Sequence, residues 1–120
     1  MKCNSRIRAG LMAVLGGLVL AGCASTRDVP ITVQSEPLGA HVLYQVRGVG
    51  TGDWVYLGTT PVEVNLQISK SNLRNADAFV LRLVREGYND QTREWSGTAL
   101  EQEVEDKGRV FWNPRLIQSE

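Results

Sequence analysis

The sequence predicts a mainly β protein, a small antiparallel β-sandwich with one short helix near its carboxyl terminus. Three observations support this fold class. Apolar and polar residues alternate over several short segments, which is the period of a half-buried strand. Turn signals built from glycine and proline separate these segments. After Trp95 the period changes, and the spacing of the apolar residues there indicates a helix.

The length and the charge of the chain limit its class. It has 120 residues, which suffices for one small domain. Its 13 basic side chains balance 13 acidic ones, so no long-range field would attract nucleic acid, and we expect no nucleic-acid partner. Two cysteines cannot form a disulfide-dense scaffold.

The first residues have the layout of a secretory signal sequence. Lys2, Arg6 and Arg8 precede an apolar run over residues 11–20. This run has about half of the roughly 20 residues that a membrane-spanning helix needs, so cleavage is expected rather than a permanent span. Residues 20–23, Leu-Ala-Gly-Cys, resemble the lipobox of bacterial lipoproteins.

The lipobox resemblance implies a lipid-anchored mature protein. It implies that residues 1–22 are cleaved and that Cys23 carries a diacylglyceryl group. Ala24 implies, in the Gram-negative sorting pattern, an outer-membrane protein that faces the periplasm. The mature chain would keep 10 basic and 13 acidic side chains, a net charge of −3, and no free thiol. Residues 23–30 are predicted to form a lipidated tether, and residues 31–117 the folded domain.

Strand alternation and turn signals predict the order of the elements. Polar residues 69–77 predict a loop with at most one helical turn. Pro37 and Gly39 are predicted to close a hairpin between the first two strands. Three alternate glycines within residues 47–53 predict a flexible hairpin tip. Their spacing does not match a phosphate-binding loop. Strands are predicted at residues 31–35, 40–46, 54–57, 62–66, 79–85, 91–95 and 109–112, with the strongly apolar strand 79–85 at the centre of a sheet.

The helix is predicted at residues 99–107. Thr98 and Glu101 have the spacing of a capping box. Gly108 stands where a helix commonly ends in a left-handed residue. The tail, residues 113–120, is predicted to be loose.

Three short motifs together resemble the PEGA domain. They are S-E-P-L-G-A-H-V at residues 35–42, L-G-T-T-P at residues 57–61 and E-G-Y at residues 86–88. The family is an extracytoplasmic β-sandwich, and the resemblance covers about residues 30–95. The loop at residues 47–56 is longer than the family pattern, and the carboxyl-terminal helix lies outside it. The resemblance implies a noncatalytic accessory or binding module and no particular ligand. No cofactor is predicted.

Trp54 and Tyr56 are the candidate ligand-binding residues. They share one face of a predicted strand beside the glycine-rich loop. An exposed aromatic ring at such a rim could stack on a sugar ring, whereas the alternative is packing in the core. Trp95 and Trp112 are expected to pack the helix onto the sheet.

No catalytic residue and no metal ligand is assigned. His41 is the only histidine, and its alternation predicts a solvated strand residue. The acidic cluster Glu101, Glu103, Glu105 and Asp106 is expected to be a solvated helix face rather than a catalytic carboxylate pair. The predicted function is that of a noncatalytic structural or binding module of the cell envelope, with a protein or a glycan as partner. The alternative is a hydrolase of envelope polysaccharide.

Overall fold

Seven strands and two short helices make up the part of the chain that the structure, a computed structural model, describes, residues 25–120. The predicted signal sequence and Cys23 lie outside the described residues. The strands are β1 Thr26–Val33, β2 His41–Arg47, β3 Val55–Thr59, β4 Val62–Ser69, β5 Ala78–Val84, β6 Gln91–Trp95 and β7 Val110–Trp112, and the helices are α1 Lys70–Asn75 and α2 Gly97–Lys107.

The strands form two sheets. A three-stranded sheet has the order β4-β1-β7, and a four-stranded sheet has the order β3-β2-β5-β6. All neighbouring strands are antiparallel except β1 and β7, which run parallel. The predicted fold class, a small mainly β sandwich with a helix near its carboxyl terminus, is confirmed.

The core lies between the two sheets and follows the alternation of the strands. Every second residue of a strand points to the same face, so one face of each sheet supplies the apolar side chains. Strand β5 lies between β2 and β6, which confirms its predicted central position. The fully buried residues include Val29, Ile31 and Val33 of β1 and Phe79, Leu81 and Leu83 of β5.

Strand β1 begins earlier than predicted. The tether expected as far as Pro30 is wrong for its second half, because β1 starts at Thr26 and Val29 is fully buried. A proline within a strand is tolerated where only one side of the strand is paired. Pairing with β7 starts at Ile31, so Pro30 has a neighbouring strand on one side only.

The predicted hairpin between the first two strands is also wrong. Strands β1 and β2 lie in different sheets, and residues 34–40 cross from one sheet to the other. The crossing is held by Thr60, whose hydroxyl oxygen accepts hydrogen bonds from the backbone N–H groups of Gly39 and Ala40, both at 3.0 Å. The same hydroxyl lies 2.7 Å from the hydroxyl of Ser35. Alternation specifies which face of a strand is buried, but not which strand is its neighbour.

Helix α1 lies in the segment predicted as a loop with at most one helical turn. The side chain of Ser69 caps it by accepting a hydrogen bond from the backbone N–H of Asn72. Leu73 is its buried residue, and this single apolar contact explains why the sequence pattern is weak.

Helix α2 covers one end of the core with Leu100. Its cap is Ser96, which accepts from the backbone N–H of Ala99 at 3.0 Å, so the predicted capping box at Thr98 is wrong. Gly108 ends the helix in the left-handed conformation, with φ at 81°, as predicted. No helix among residues 25–120 is both long enough and apolar enough to cross a membrane.

The carboxyl-terminal tail is ordered by contacts to the crossing at residues 34–40 and to the turn between β5 and β6, so the prediction of a loose tail is wrong. The backbone N–H of Leu116 donates to the carbonyl of Glu36, and that of Ser119 donates to the carbonyl of Gly87. Leu116 is buried against the core. One buried leucine and a few backbone hydrogen bonds produce no periodic pattern in the sequence.

Candidate binding surface

The two edge strands of the four-stranded sheet have different surroundings. At the β6 edge, the indole N–H of Trp95 donates to a carboxylate oxygen of Glu103 in α2, at 2.9 Å. The side-chain amide of Gln91 donates to the carbonyl of Arg115 in the tail, at 2.8 Å. Helix α2 and the tail therefore close this edge. Strand β3, at the other edge, pairs with β2 alone among the described residues.

The free edges of both sheets meet on one side of the sandwich. Strand β4 is an edge of the three-stranded sheet, and only Thr60 and Pro61 separate it from β3. The two strands contact each other. We call residues 53–69, which comprise β3, β4 and the residues beside them, the open side.

Trp54 and Tyr56 are exposed on the open side. Trp54 is 38% exposed and Tyr56 is 55% exposed, which confirms the expectation that they lie at a rim. Val55 between them is 43% exposed although its strand neighbour Tyr44 is packed against the core. The sequence analysis did not identify Val55, because alternation alone would place it inside. The binding of a ligand by Trp54 and Tyr56 stays a prediction.

Neighbouring side chains fix the two aromatic rings on the outer face of the four-stranded sheet. The guanidinium carbon of Arg82 lies 5.6 Å from the ring centre of Trp54, and Arg82 is in turn paired with Asp90. The hydroxyl of Tyr56 lies 3.0 Å from Nδ1 of His41. His41 is exposed, as predicted for a solvated strand residue. One face of the Trp54 ring is thus already occupied by a cation, whereas no arginine lies over the Tyr56 ring among the described residues.

The open side carries two acidic side chains and no basic one. From residue 48 to residue 69 the sequence contains no lysine, arginine or histidine. Its two acids, Asp53 and Glu63, are both exposed, and neither forms an ion pair with any described residue. This charge pattern is visible in the sequence, but its meaning depends on the topology that places β3 and β4 side by side.

The acidic cluster of α2 is engaged in structural contacts. Glu103 accepts the hydrogen bond from Trp95 and lies 3.8 Å from Arg93, and Glu105 pairs with Arg27 at 3.5 Å. Two of the four acids therefore hold the helix against the strands. Among residues 25–120, no group of histidine, cysteine, aspartate and glutamate side chains is arranged to hold a metal ion.

The other two tryptophans lie where packing was predicted. Trp95 is 6% exposed, and its ring centre lies 6.0 Å from that of Phe79 in the core. Trp112 is half-buried and packs against the same core. Neither contributes an open ring face comparable to that of Tyr56.

A shallow groove of about 370 Å³ crosses the outer face of the three-stranded sheet. Thr32, Glu63, Asn65 and Arg109 line it. Its polar lining mixes an acid with a base and holds no converging pair of carboxylates. The open side, which shares Glu63 with this groove, is the stronger candidate because it also has exposed aromatic rings.

Comparison with known proteins finds no match: no family model, no curated protein and no solved structure matches the chain. The resemblance to the PEGA domain therefore stays a prediction from the sequence motifs. The first two motifs meet at one end of the sandwich, where Thr60 bonds Gly39, and Arg85, just before the third motif, donates to the carbonyl of Leu38 at 3.1 Å.

Proposed function

We propose that this chain is a lipid-anchored protein of the bacterial cell envelope that acts as a noncatalytic binding module. Its recognition surface is the open side, and its partner is an envelope protein or a glycan. The observation that supports this best is the exposure of Trp54 and Tyr56 side by side at a free sheet edge. Large exposed apolar surfaces are uncommon on monomeric proteins, and they mark interaction sites.

The anchor belongs to the predicted lipobox, with Cys23 as the lipidated residue. Buried methylene groups contribute about 0.8 kcal/mol each, so several acyl chains on one cysteine hold a protein durably at a bilayer. Strand β1 starts at Thr26, three residues later. Three extended residues span at most about 11 Å, so the lipid would keep the start of β1 close to the membrane.

This anchor would orient the domain. Strand β2 ends and β3 begins at the same end of the sandwich as the start of β1, because the carbonyl of Ser25 accepts from Lys70 and the loop at residues 48–53 lies beside Asn72. That end would face the bilayer, and Trp54 would lie closer to the membrane than Tyr56. The tail and the crossing at residues 34–40 would point away from it, into the periplasm if the protein is sorted to the outer membrane.

The lipid anchor is tested by Cys23→Ser. We expect this variant to lose labelling by a radioactive fatty acid and to accumulate as an unprocessed precursor. Cys3→Ser is the matched control, because residue 3 would be discarded with the signal sequence, and it should be labelled like the wild type. Normal labelling of Cys23→Ser would contradict the anchor.

The recognition surface is tested by site-specific photo-crosslinking in intact cells. A photoreactive amino acid in place of Tyr56 should yield a discrete adduct that becomes weaker when Trp54→Ala is added. The same group in place of Ile117, which is 60% exposed on the tail, is the control for nonspecific capture. If both positions give the same adducts, or if position 56 gives none, the open side is not the recognition surface.

A further inference from the structure

We infer that the occupant of the open side is an extended, positively charged polypeptide segment that adds to β3 as a fifth strand of the four-stranded sheet. The inference rests on the proposed function and names the class of its partner. It combines three observations: the unpaired edge of β3, the unpaired acid Asp53 beside it, and the exposed ring of Tyr56.

The edge of β3 lacks most of the features that normally protect an edge strand, and its one irregularity is a bulge at Leu57 in the pairing with β2. Natural sheets block unwanted strand addition with charged side chains, prolines, bulges or a covering segment. Strand β6 has Arg93 and Glu94 within it and is covered by α2. From Trp54 to Thr59 there is neither a charge nor a proline, and no described segment pairs with the outer side of β3. An unprotected edge is the surface to which an extended peptide adds through backbone hydrogen bonds.

The charge of the open side selects a cationic segment. Asp53 comes just before β3, so one end of a strand added along β3 would lie beside an exposed carboxylate. A lysine or arginine side chain of the added strand would pair with it. Glu63, the other acid of the open side, lies on the outer face of the three-stranded sheet, in the groove that it shares with Arg109. No basic residue between positions 48 and 69 competes for Asp53.

The aromatic rings favour the same side chains. The face of a tryptophan or tyrosine ring attracts a guanidinium or an ammonium group. Arg82 already lies over the ring of Trp54, which shows the geometry that an arginine of a partner could repeat at Tyr56. Every second side chain of an added strand would point to the outer face of the sheet, and the one opposite Tyr56 could reach its ring.

A second copy of this chain fits the edge less well. Pairing of β3 with β3 would join two strands that both lack a cation, so Asp53 and Glu63 would stay unpaired. Strand β3 has five residues, and two such strands alone would cover much less than the roughly 800 Å² per partner of a standard interface. A single added peptide strand needs no interface of that size, because the backbone hydrogen bonds supply much of its affinity.

The experiment uses the mature chain from residue 23, with Cys23→Ser to omit the lipid. The probe is a synthetic peptide of about the length of β3 in which lysine and valine alternate. We expect it to bind in isothermal titration calorimetry, more weakly as salt is added, because screening reduces the attraction between exposed charges. Two control peptides should bind at least about tenfold more weakly: one with glutamate in place of lysine, and one with N-methyl groups on the amides that face β3.

Matched variants locate the binding site. Val55→Lys adds a protecting charge to the β3 edge and should weaken binding at least about tenfold, whereas Thr92→Lys adds the same charge to the β6 edge and should leave it unchanged. Asp53→Asn should weaken binding and reduce its salt dependence. Glu63→Gln, on the outer face of the three-stranded sheet, and Glu86→Gln each remove another exposed acid and should do neither. Because all of these positions are exposed, the circular dichroism spectrum should stay unchanged.

The outcomes separate this inference from the proposed function. If the lysine-valine peptide does not bind while position 56 still forms its adduct in cells, the cationic-strand inference is overturned and the binding module remains. Equal binding of the N-methylated peptide would mean charge attraction without strand addition, and this also overturns the inference. Self-association of the chain, detected by analytical ultracentrifugation at the concentrations used and abolished by Val55→Lys, would identify a second copy as the occupant instead.

Discussion

Two tryptophans lie at opposite edges of the four-stranded sheet and differ in their exposure to solvent. Trp54, beside β3, is 38% exposed, and Trp95, at the end of β6, is 6% exposed. An arginine lies near each ring, with Arg82 at 5.6 Å from the first ring centre and Arg93 at 4.6 Å from the second. The difference is α2, which covers Trp95 and accepts its indole hydrogen bond. The surroundings of each tryptophan therefore decide whether its ring is buried in the core or left exposed at an edge.

The connections of the chain explain why one edge is closed and the other open. After β6 the chain continues directly into α2, which folds back over the edge that it has just left, and the tail that follows β7 reaches the same edge at Gln91. Between β3 and β4 there are only two residues, Thr60 and Pro61. Such a tight connection leaves no segment that could cover β3. An unprotected edge strand can pair with other chains, so proteins usually avoid one. Exposed aromatic residues at such an edge therefore point to an interaction site.

The largest effect that tests this comparison is the loss of Trp95. Trp95→Ala should lower the free energy of unfolding by about 3 to 5 kcal/mol, because it removes a buried ring and leaves a cavity. Trp54→Ala should change it by only about 0.5 kcal/mol, as for a typical surface substitution. Urea denaturation of both variants measures the difference.

Equal losses in the two variants would break the comparison. A large loss for Trp54→Ala would mean that its ring supports the fold, and Tyr56 would then be the only exposed aromatic residue of the open side that is free for recognition. The mature chain without its lipid can be used for both measurements, since the seven strands lie within residues 26–112.

Much of the strand content could be predicted from alternation, but the partners of the strands could not. The strong apolar run at Phe79 to Val84 correctly indicated a central strand, because a strand covered on both faces tolerates apolar residues on each. The turn at Pro37 suggested a hairpin, whereas a buried hydroxyl at Thr60 instead holds a crossing between sheets. A contact over that sequence separation leaves no local signal.

The candidate site divides in the same way. Local position beside a glycine-rich loop suggested that Trp54 and Tyr56 are exposed, and this was correct. The role inferred for Asp53 could not be predicted, because it depends on β3 being an edge strand. The tail was missed for a related reason: Leu116 is its one buried apolar residue.

The second prediction concerns the turn that joins the two free edges. Thr60→Val keeps the shape of the side chain but leaves the buried N–H of Ala40 without its acceptor. A buried donor without a partner costs about 1 to 3 kcal/mol, so the urea midpoint should fall accordingly. Thr59→Val is the control, because Thr59 is exposed and should change stability by about 0.5 kcal/mol or less. Similar losses at both positions would mean that the crossing does not depend on this hydroxyl.

A smaller effect concerns the start of the helix that closes the β6 edge. Ser96→Ala removes the side chain that caps α2 and should cost about 1 kcal/mol. Thr98→Ala should cost much less, since Thr98 is exposed inside the first turn and alanine favours a helix. The two thermal midpoints should therefore fall in that order, and the reverse order would restore the capping box that the sequence suggested.

The smallest expected effect is on the open side itself, in Tyr56→Phe. The hydroxyl of Tyr56 bonds His41 in solvent, where water can replace either partner, so stability should change by less than about 0.5 kcal/mol. The variant keeps the ring, and a cation over a ring is attracted to phenylalanine as well as to tyrosine. Binding of the lysine-valine peptide should therefore persist in Tyr56→Phe and weaken in Tyr56→Ala, although both leave the dichroism spectrum unchanged. If Tyr56→Phe loses binding as completely as Tyr56→Ala, the hydroxyl and not the ring face holds the partner. The exposed edge would then recognise its ligand by a hydrogen bond to the hydroxyl of Tyr56. The exposure of the Tyr56 ring, which distinguishes it from the buried ring of Trp95, would not explain the binding.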